Sequence, residues 1–443
     1  MSPINLMPNA FDPNSAEELS PQLRTMVARR QEVLGPSMKL FYRKPVEVAR
    51  ASGVHLYDSE GNSYLDAYNN VPCVGHCHPR VVEAIATQAA VLNSNTRYLT
   101  TQVLDYSERI LATHSEGLDK IMYACSGSEA NDLALRIARY ATGNDAVIVT
   151  SNAYHGITAT VAEFSPSLGK NVPLGLRTVT VPAPEGVSSG DVTEAGNRFA
   201  ASVEAAVAQI ERHGMRLAAL IVDPLFASDG LVPEPAGFLA PSIDIVHRAG
   251  GLFIADEVQS GFARSGDEMW GYQRHGLTPD LVTMGKPMGN GLPISAVVAR
   301  GEHLVQFGRD IRYFNTFAGN SVCIAAATAT LDVLEQEGLQ QNAQTVGKQM
   351  REGLVELSQR YPFLVQPRGA GLFLAADLVN PETGAPDEAA ALAVVNGLRD
   401  RRILVSTSGT DENILKVRPP LPFSAANAEL FLTELDQVLR ELS

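Results

Sequence analysis

Cysteine is scarce in this chain: Cys73, Cys77, Cys125 and Cys323 are the only four among 443 residues. So few thiols, so widely spread, exclude a disulfide-stapled scaffold and leave a reduced, cytoplasmic setting as the expectation. Cys73, His76, Cys77 and His78 do cluster, but no second ligand pair follows at finger or ribbon spacing. No metal is therefore expected, and the cluster reads as a tight entry to a helix. Positive charge is also short, with 35 Lys and Arg against 49 Asp and Glu. That balance opposes a nucleic-acid or anionic-membrane surface, which needs clustered basic residues. The one basic cluster, Arg24 to Arg30, sits near Glu17, Glu18 and Glu32 and reads as a solvated helix face. Long apolar runs are missing too. The best, residues 217–232, is cut by Asp223, Pro224 and Asp229, so no membrane span is expected. The first residues, MSPINLMPNAFDPNSAEEL, lack the basic start and apolar core of a secretory signal.

What is present is ordinary for a globular enzyme: 45% hydrophobic and 19% charged residues, in a chain long enough for two or three domains. A helical stretch is expected over Ala16–Val33, then a hairpin of Val54–Asp58 and Ser63–Asp66 around Gly61. Pro79 suits the first turn of a following helix. From Gly117 onward strands and helices alternate: strands at Lys120–Ala124, Ala146–Thr150, Leu217–Val222, Leu252–Ala255 and Leu281–Met284, with helices between them. Such repeats mean a doubly wound, mostly parallel sheet. The Pro-, Gly- and Ser-rich stretch Phe164–Gly196 reads as a surface excursion. After Ser321 the pattern changes to long helices and then short strands, including Gly371–Asp377, Ile403–Thr407 and Ile414–Val417. The expected architecture is α/β: residues 66–322 as the large domain, with residues 323–443 and the N-terminal residues 1–65 forming a smaller α/β domain.

Within the large domain the stretch Leu252–Pro287 stands out. Two apolar runs that read as buried parallel strands are each closely followed by an ionisable group, Asp256 and Lys286. Open α/β sheets bind ligands beyond the carboxyl ends of their strands, so a carboxylate and an amine delivered there are candidates for chemistry. Ser126, Gly127 and Ser128 lie between a strand and a helix, where free N–H groups and the helix dipole suit a phosphate. A plain N-cap accounts for the same residues equally well.

Two nucleotide readings fail. No Gly-Lys pair is followed by Ser or Thr, so a phosphate loop of the nucleotide triphosphatases is absent, and Gly289–Asn290–Gly291 does not complete a dinucleotide fingerprint. An anion cradle, an acid and a lysine at strand ends together match pyridoxal 5'-phosphate. The loop would hold the phosphate, Asp256 would keep the pyridine nitrogen protonated, and Lys286 would condense with the aldehyde. Tyr154, after the strand Ala146–Thr150, suits either a flat contact on such a ring or plain core packing. His155 reads as structural or as a support behind the ring contacts.

At these residues the chain resembles the class III (omega-type) aminotransferases of fold type I, from about Leu40 to its end. The motifs are GHCHP (75–79), SGSEANDLALRIAR (126–139), AYHG (153–156), ADEVQSGFARSG (255–266), TMGKPMGNGLP (283–293) and NTFAGN (315–320). The resemblance implies Lys286 as Schiff-base lysine and proton shuttle, and Asp256 on the ring nitrogen. It also implies Gln259 near the ring hydroxyl, Val258 and Tyr154 on opposite ring faces, and Gly127 and Ser128 on the phosphate. Ser126, His155 and Asp223 complete the expected cofactor surround. Thr316 would reach the phosphate of a neighbouring subunit, so a homodimer with shared sites, or a tetramer built from it, is expected. The implied reaction moves an amino group from a small amine or amino acid to a keto acid.

The wording NNVPCVGHCHP, LNSNTRYL, VTMGKPMGNG and LKVRPPLPF is similar to a subgroup that includes the ethanolamine-phosphate phospholyases, making phosphate elimination the alternative; a racemase on the same scaffold is a further one. Two departures bear on substrate choice. Many members have Glu-Pro where this chain has Asp223–Pro224, followed here by LFASDG. Many also carry an arginine three residues before Pro-Pro to clamp a carboxylate, where this chain has Lys416, with Arg418 directly before Pro419. Lysine is a point charge and does not repeat a two-pronged arginine contact. Lys416 and Arg418 are therefore the candidate substrate residues.

Overall fold

A computed structural model describes residue 7, residues 9–184 and residues 191–443. Seven strands form the central sheet: β1 (Leu118–Ala124), β2 (Ala146–Thr150), β3 (Thr178–Val181), β4 (Leu217–Val222), β5 (Leu252–Asp256), β6 (Leu281–Met284) and β7 (Ser295–Arg300). In space they run β1-β7-β6-β5-β4-β2-β3. All are parallel except β7, which is antiparallel to both β1 and β6. β2, β4, β5 and β6 are buried at every position. Continuous apolar runs are what a sheet covered by helices on both faces requires.

β2 and β4 are spatial neighbours, yet they lead the chain outward in opposite directions, β2 to the edge strand β3 and β4 to β5 and β6. Such a reversal opens a crevice at the carboxyl ends of the strands. Residues following β1, β2, β4, β5 and β6 meet there.

Two smaller sheets flank this one. Arg50–Ser52, His55–Tyr57 and Ser63–Asp66 form an antiparallel ladder that the C-terminal strand Ile403–Leu404 joins in parallel. Leu364–Ala370, Phe373–Leu378, Ile414–Val417 and Ser406–Ser408 form the other. Ile414–Val417 carries Lys416 and leads directly into Arg418. No helix among the described residues is long and apolar enough to cross a membrane, and they hold no metal-ligand cluster.

Several local expectations need correction. The strand expected at Ile403–Thr407 is two strands in two sheets, because the chain passes between them at Val405, whose carbonyl accepts from the Tyr42 hydroxyl at 3.0 Å. The excursion Phe164–Gly196 contains β3, whose alternating TVTV is masked by flanking Pro and Gly; residues 185–190 of that stretch lie outside the described residues. The helix expected over Ala16–Val33 starts instead at Pro21, after a 3-10 turn at Pro13–Glu18. Pro21 has no N–H to continue the earlier turn, and Ser20 caps the new helix through Leu23 N–H. β7 was not anticipated.

Candidate active site

The site is a cavity of about 280 Å³ at the carboxyl edge of the sheet. β1 ends at Ala124 and passes through Cys125–Ser126 into the helix Gly127–Thr142. Ser126 caps that helix by accepting the Glu129 N–H at 3.2 Å, and the Glu129 carboxylate accepts the Cys125 N–H at 2.6 Å. The cap and the anion cradle are thus both present: the first helical N–H groups, those of Gly127 and Ser128, have no intrahelical partner and border the cavity. The Ser128 hydroxyl accepts the Ile157 N–H at 3.1 Å, tying this turn to the Tyr154–Gly156 segment. Backbone approach is close at two glycines. A Cβ on Gly127 would lie 2.9 Å from Val258 Cγ1, and one on Gly156, where φ is +141°, would lie 2.3 Å from Ser128 Oγ.

Asp256 ends β5 and is buried with a full set of partners. Its Oδ2 takes His155 Nδ1 at 2.7 Å and Asn131 Nδ2 at 2.9 Å; its Oδ1 takes the Val258 N–H at 3.1 Å and the Thr283 hydroxyl at 3.4 Å. Asn131 also donates to the His155 carbonyl at 2.7 Å and accepts from Thr283 at 2.6 Å. Four elements therefore fix one carboxylate: β5, β6, the segment after β2 and the helix after β1.

Lys286 follows β6 and lines the cavity, with no hydrogen-bond or ion-pair partner among the described residues. Burial, and next the Arg418 charge, hold its amine down at about 8. Neighbouring Glu257 is fully buried; its two oxygens accept the Gly271 and Tyr272 N–H groups at 2.8 and 2.7 Å, and burial pushes it up to about 8.

Tyr154, His155, Asp223, Val258 and Gln259 all line the cavity, as do Ser126, Gly127 and Ser128. Asp223 follows β4, accepts from the Ser260 hydroxyl and from the Leu225 and Ala227 N–H groups at 3.0 and 3.2 Å, and is pushed up by burial and by Asp256. Lys416 and Arg418 stand behind this wall. Lys416 Nζ donates to the Ala227 carbonyl at 3.2 Å. The Arg418 guanidinium lies between the rings of Tyr68 and Phe373 and donates to the Gln259 side-chain oxygen. Both cations are buried, and neither has a carboxylate ion pair among the described residues. Burial, then Arg418, then Lys286 press Lys416 well below the usual lysine range. Thr316 is exposed and does not line this chain's cavity.

Sequence reasoning missed Asn131 and Thr283. Asn131 sits one turn into the SGSEAND helix, on the face that Ser128 also serves, and Thr283 precedes Lys286 by three residues. Helical spacing puts Asn131 on the Ser128 face, but nothing local in the sequence names Asp256 as its partner.

These residues fit pyridoxal 5'-phosphate: a backbone cradle too tight for a Cβ at one end, a braced carboxylate at the other, and an unpartnered amine between. A family model described as aminotransferase class-III matches residues 41–439. An ethanolamine-phosphate phospho-lyase homolog 1 from Caenorhabditis elegans is 38% identical over 94% of this chain and 93% of its own length. An alanine–glyoxylate aminotransferase 2-like protein from Drosophila melanogaster is also 38% identical, over 94% and 87%. Among solved structures, a phospholyase from Arthrobacter in complex with phosphoethanolamine is 42% identical over 94% of this chain and all of its own, with a TM-score of 0.91. A Bacillus anthracis aminotransferase at 24% identity, TM-score 0.85, shares the fold.

Proposed function

The chain belongs to the class-III aminotransferase family, pyridoxal 5'-phosphate enzymes of fold type I, and we propose that within it this protein eliminates phosphate from a small O-phosphorylated amine. The observation that carries this reading is the pair Lys416 and Arg418: two buried basic side chains without a carboxylate partner among the described residues, with Arg418 lowering Lys286 and both Arg418 and Lys286 lowering Lys416. Buried charge needs a counter-charge, and a phosphate brings more of it than a carboxylate. A compact lysine beside an arginine suits a tetrahedral dianion, whereas a planar carboxylate calls for a paired arginine fork. The relatives named for phosphoethanolamine chemistry support the same choice.

The bound cofactor supplies a ring that accepts the electron pair left on a substrate carbon. The chain's residues do the rest. Asp256, braced by His155 and Asn131, holds negative charge against the ring nitrogen. Lys286, whose amine is about half free of its proton near pH 8, takes the proton from the carbon bearing the amino group. Lys416 and Arg418, one layer behind the cavity wall, supply the positive potential that favours the phosphate and the charge it gains as the carbon–oxygen bond breaks. This places elimination ahead of transamination, the reverse of the ranking that the motifs alone give.

Transamination is the second reading, favoured by the Drosophila relative's name. In the same proposal residues 66–322 are the large cofactor domain, residues 1–65 join 323–443 in the small one, and the protein is a cytoplasmic homodimer. Thr316, exposed between Phe314 and Phe317, supports sharing of the site between subunits. A panel of amines, amino acids and their O-phosphorylated forms, each with and without a keto acid, tests the reading. Turnover confined to phosphorylated amines and independent of keto acid supports elimination; keto-acid-dependent amine exchange supports the second reading instead.

A further inference from the structure

The departure LFASDG, residues 225–230, builds a junction that the cofactor contacts leave unexplained. At its far end Asp229 reaches the exit of β2. Its Oδ2 accepts from the Thr150 hydroxyl at 2.7 Å and its Oδ1 from the Asn152 N–H at 3.1 Å, while Asn152 Nδ2 donates to the Ser228 carbonyl at 2.7 Å. Tyr154 and His155, which line the cavity, come two and three residues after Asn152. At its middle, the Ala227 carbonyl accepts from Lys416 Nζ at 3.2 Å and from the Ser408 hydroxyl at 2.8 Å. Just beyond, the Gly230 and Leu231 carbonyls accept from Arg368 at 2.6 and 2.7 Å, and Arg368 pairs with Asp377 at 2.6 Å. At its start, Asp223 lines the cavity and accepts the Leu225 and Ala227 N–H groups. One short turn thus contacts the segment that carries the aromatic, the strand that carries Lys416, and the cavity wall itself.

We infer that Asp229 is a positioning residue for this site: its clasp on Thr150 and Asn152 keeps Tyr154 over the cavity in register with Lys416. The only side chain of the 225–230 turn that bonds the β2 exit is Asp229, and it does so with both oxygens. Releasing it leaves the β2 exit held by the Asn152–Ser228 contact, the Ser151 N–H to Val181 and the Ser167 N–H to the Ala153 carbonyl, while His155, next after Tyr154, stays bonded to Asp256, Asn131 and Ser165. Tyr154 is then fixed chiefly from its His155 side, and its tie to the turn that carries the Ala227 carbonyl, and through it to Lys416, rests on the Asn152–Ser228 contact alone. The Tyr154 half of this inference depends on the cofactor assignment alone; the Lys416 half rests on the phospholyase reading.

The test uses holoenzyme of wild type, Asp229→Ala, Asp229→Asn and Thr150→Val. Three quantities are read: the visible circular dichroism of bound cofactor without substrate, the KM and kcat for phosphoethanolamine, and the melting temperature. Visible dichroism reports how the ring sits against its neighbours, and global stability alone does not move it in folded protein. Asp229→Ala and Thr150→Val should both lower the dichroism amplitude. Asp229→Ala should also raise KM roughly tenfold, more than it lowers kcat. Asp229→Asn, which keeps an acceptor for the Asn152 N–H, should recover part of both. A lower melting temperature with dichroism and KM unchanged in Asp229→Ala and Thr150→Val overturns the proposal. If no phosphorylated amine is turned over, the phospholyase reading fails while the dichroism comparison still decides the clasp.

Discussion

His155 Nδ1 lies 2.7 Å from Asp256 Oδ2, both side chains are buried, and His155 Nε2 has no partner among the described residues. Asn131 meets the same oxygen at 2.9 Å. Asp256 is therefore braced from two sides, and a carboxylate held this firmly keeps a ring nitrogen protonated with little reorganisation.

Removing the Asn131 brace should loosen that hold. Asn131→Ala leaves buried partners on Asp256, His155 and Thr283 unsatisfied, at a cost of about 1–3 kcal/mol. The expected outcome is roughly tenfold lower kcat and a changed pH titration of the bound cofactor's visible band. An unchanged titration would mean that Asn131 only supports the fold.

The cradle should be equally intolerant. A methyl group at Gly156 meets Ser128 Oγ at 2.3 Å and the Ser128 backbone at 2.7 Å, and φ of +141° disfavours any side chain. Gly156→Ala is expected to weaken cofactor binding by about 100-fold, read by equilibrium dialysis against pyridoxal 5'-phosphate. Alanine at exposed Gly143, with no atom within 4 Å, serves as the comparison and should leave that affinity unchanged.

Lys286 sets a pH signature. Its amine is depressed from 10.5 to about 8, so the proton leaves as pH rises from about 7 to 9. Only the neutral amine attacks an aldehyde. The rate at which apoprotein regains the visible band on adding cofactor should climb through about pH 8 and then level. A climb that continues past pH 10 would show an ordinary lysine, and Lys286→Ala should form no such band.

The substrate cations separate two chemistries. Lys416→Met removes a basic group from behind the cavity wall and should raise KM for a phosphorylated amine by about tenfold. Lys416→Arg restores charge with a forked geometry and should improve amino acids relative to phosphorylated amines. Competition by inorganic phosphate, measured as an inhibition constant, should weaken in Lys416→Met.

Much of this arrangement is legible in the sequence because strand ends announce themselves. Apolar runs buried on both faces mark β4, β5 and β6, and the polar residue that closes each run falls at the carboxyl edge, so Asp223, Asp256 and Lys286 are found together. β3 escapes notice because four residues between Pro- and Gly-containing segments carry no length signal; β7, six residues long, is hidden by the adjoining Gly- and Pro-containing stretch 289–293 rather than by its length. The bracing residues are harder for a different reason. Asn131 and Thr283 act through side-chain hydrogen bonds across 125 and 27 residues of chain to Asp256, and no local periodicity encodes such a partner. The role of the LFASDG turn is hidden likewise, since it depends on which backbone carbonyls face Lys416 and Arg368.

The most direct test of the central claim counts two products in one reaction. Purified holoenzyme is incubated with phosphoethanolamine and no keto acid, and inorganic phosphate and ammonia are measured over many turnovers. The account predicts that both accumulate in equal amounts, that neither depends on an added keto acid, and that Lys286→Ala releases none. Catalytic amine transfer to an added keto acid, with the phosphate ester left intact, would falsify it.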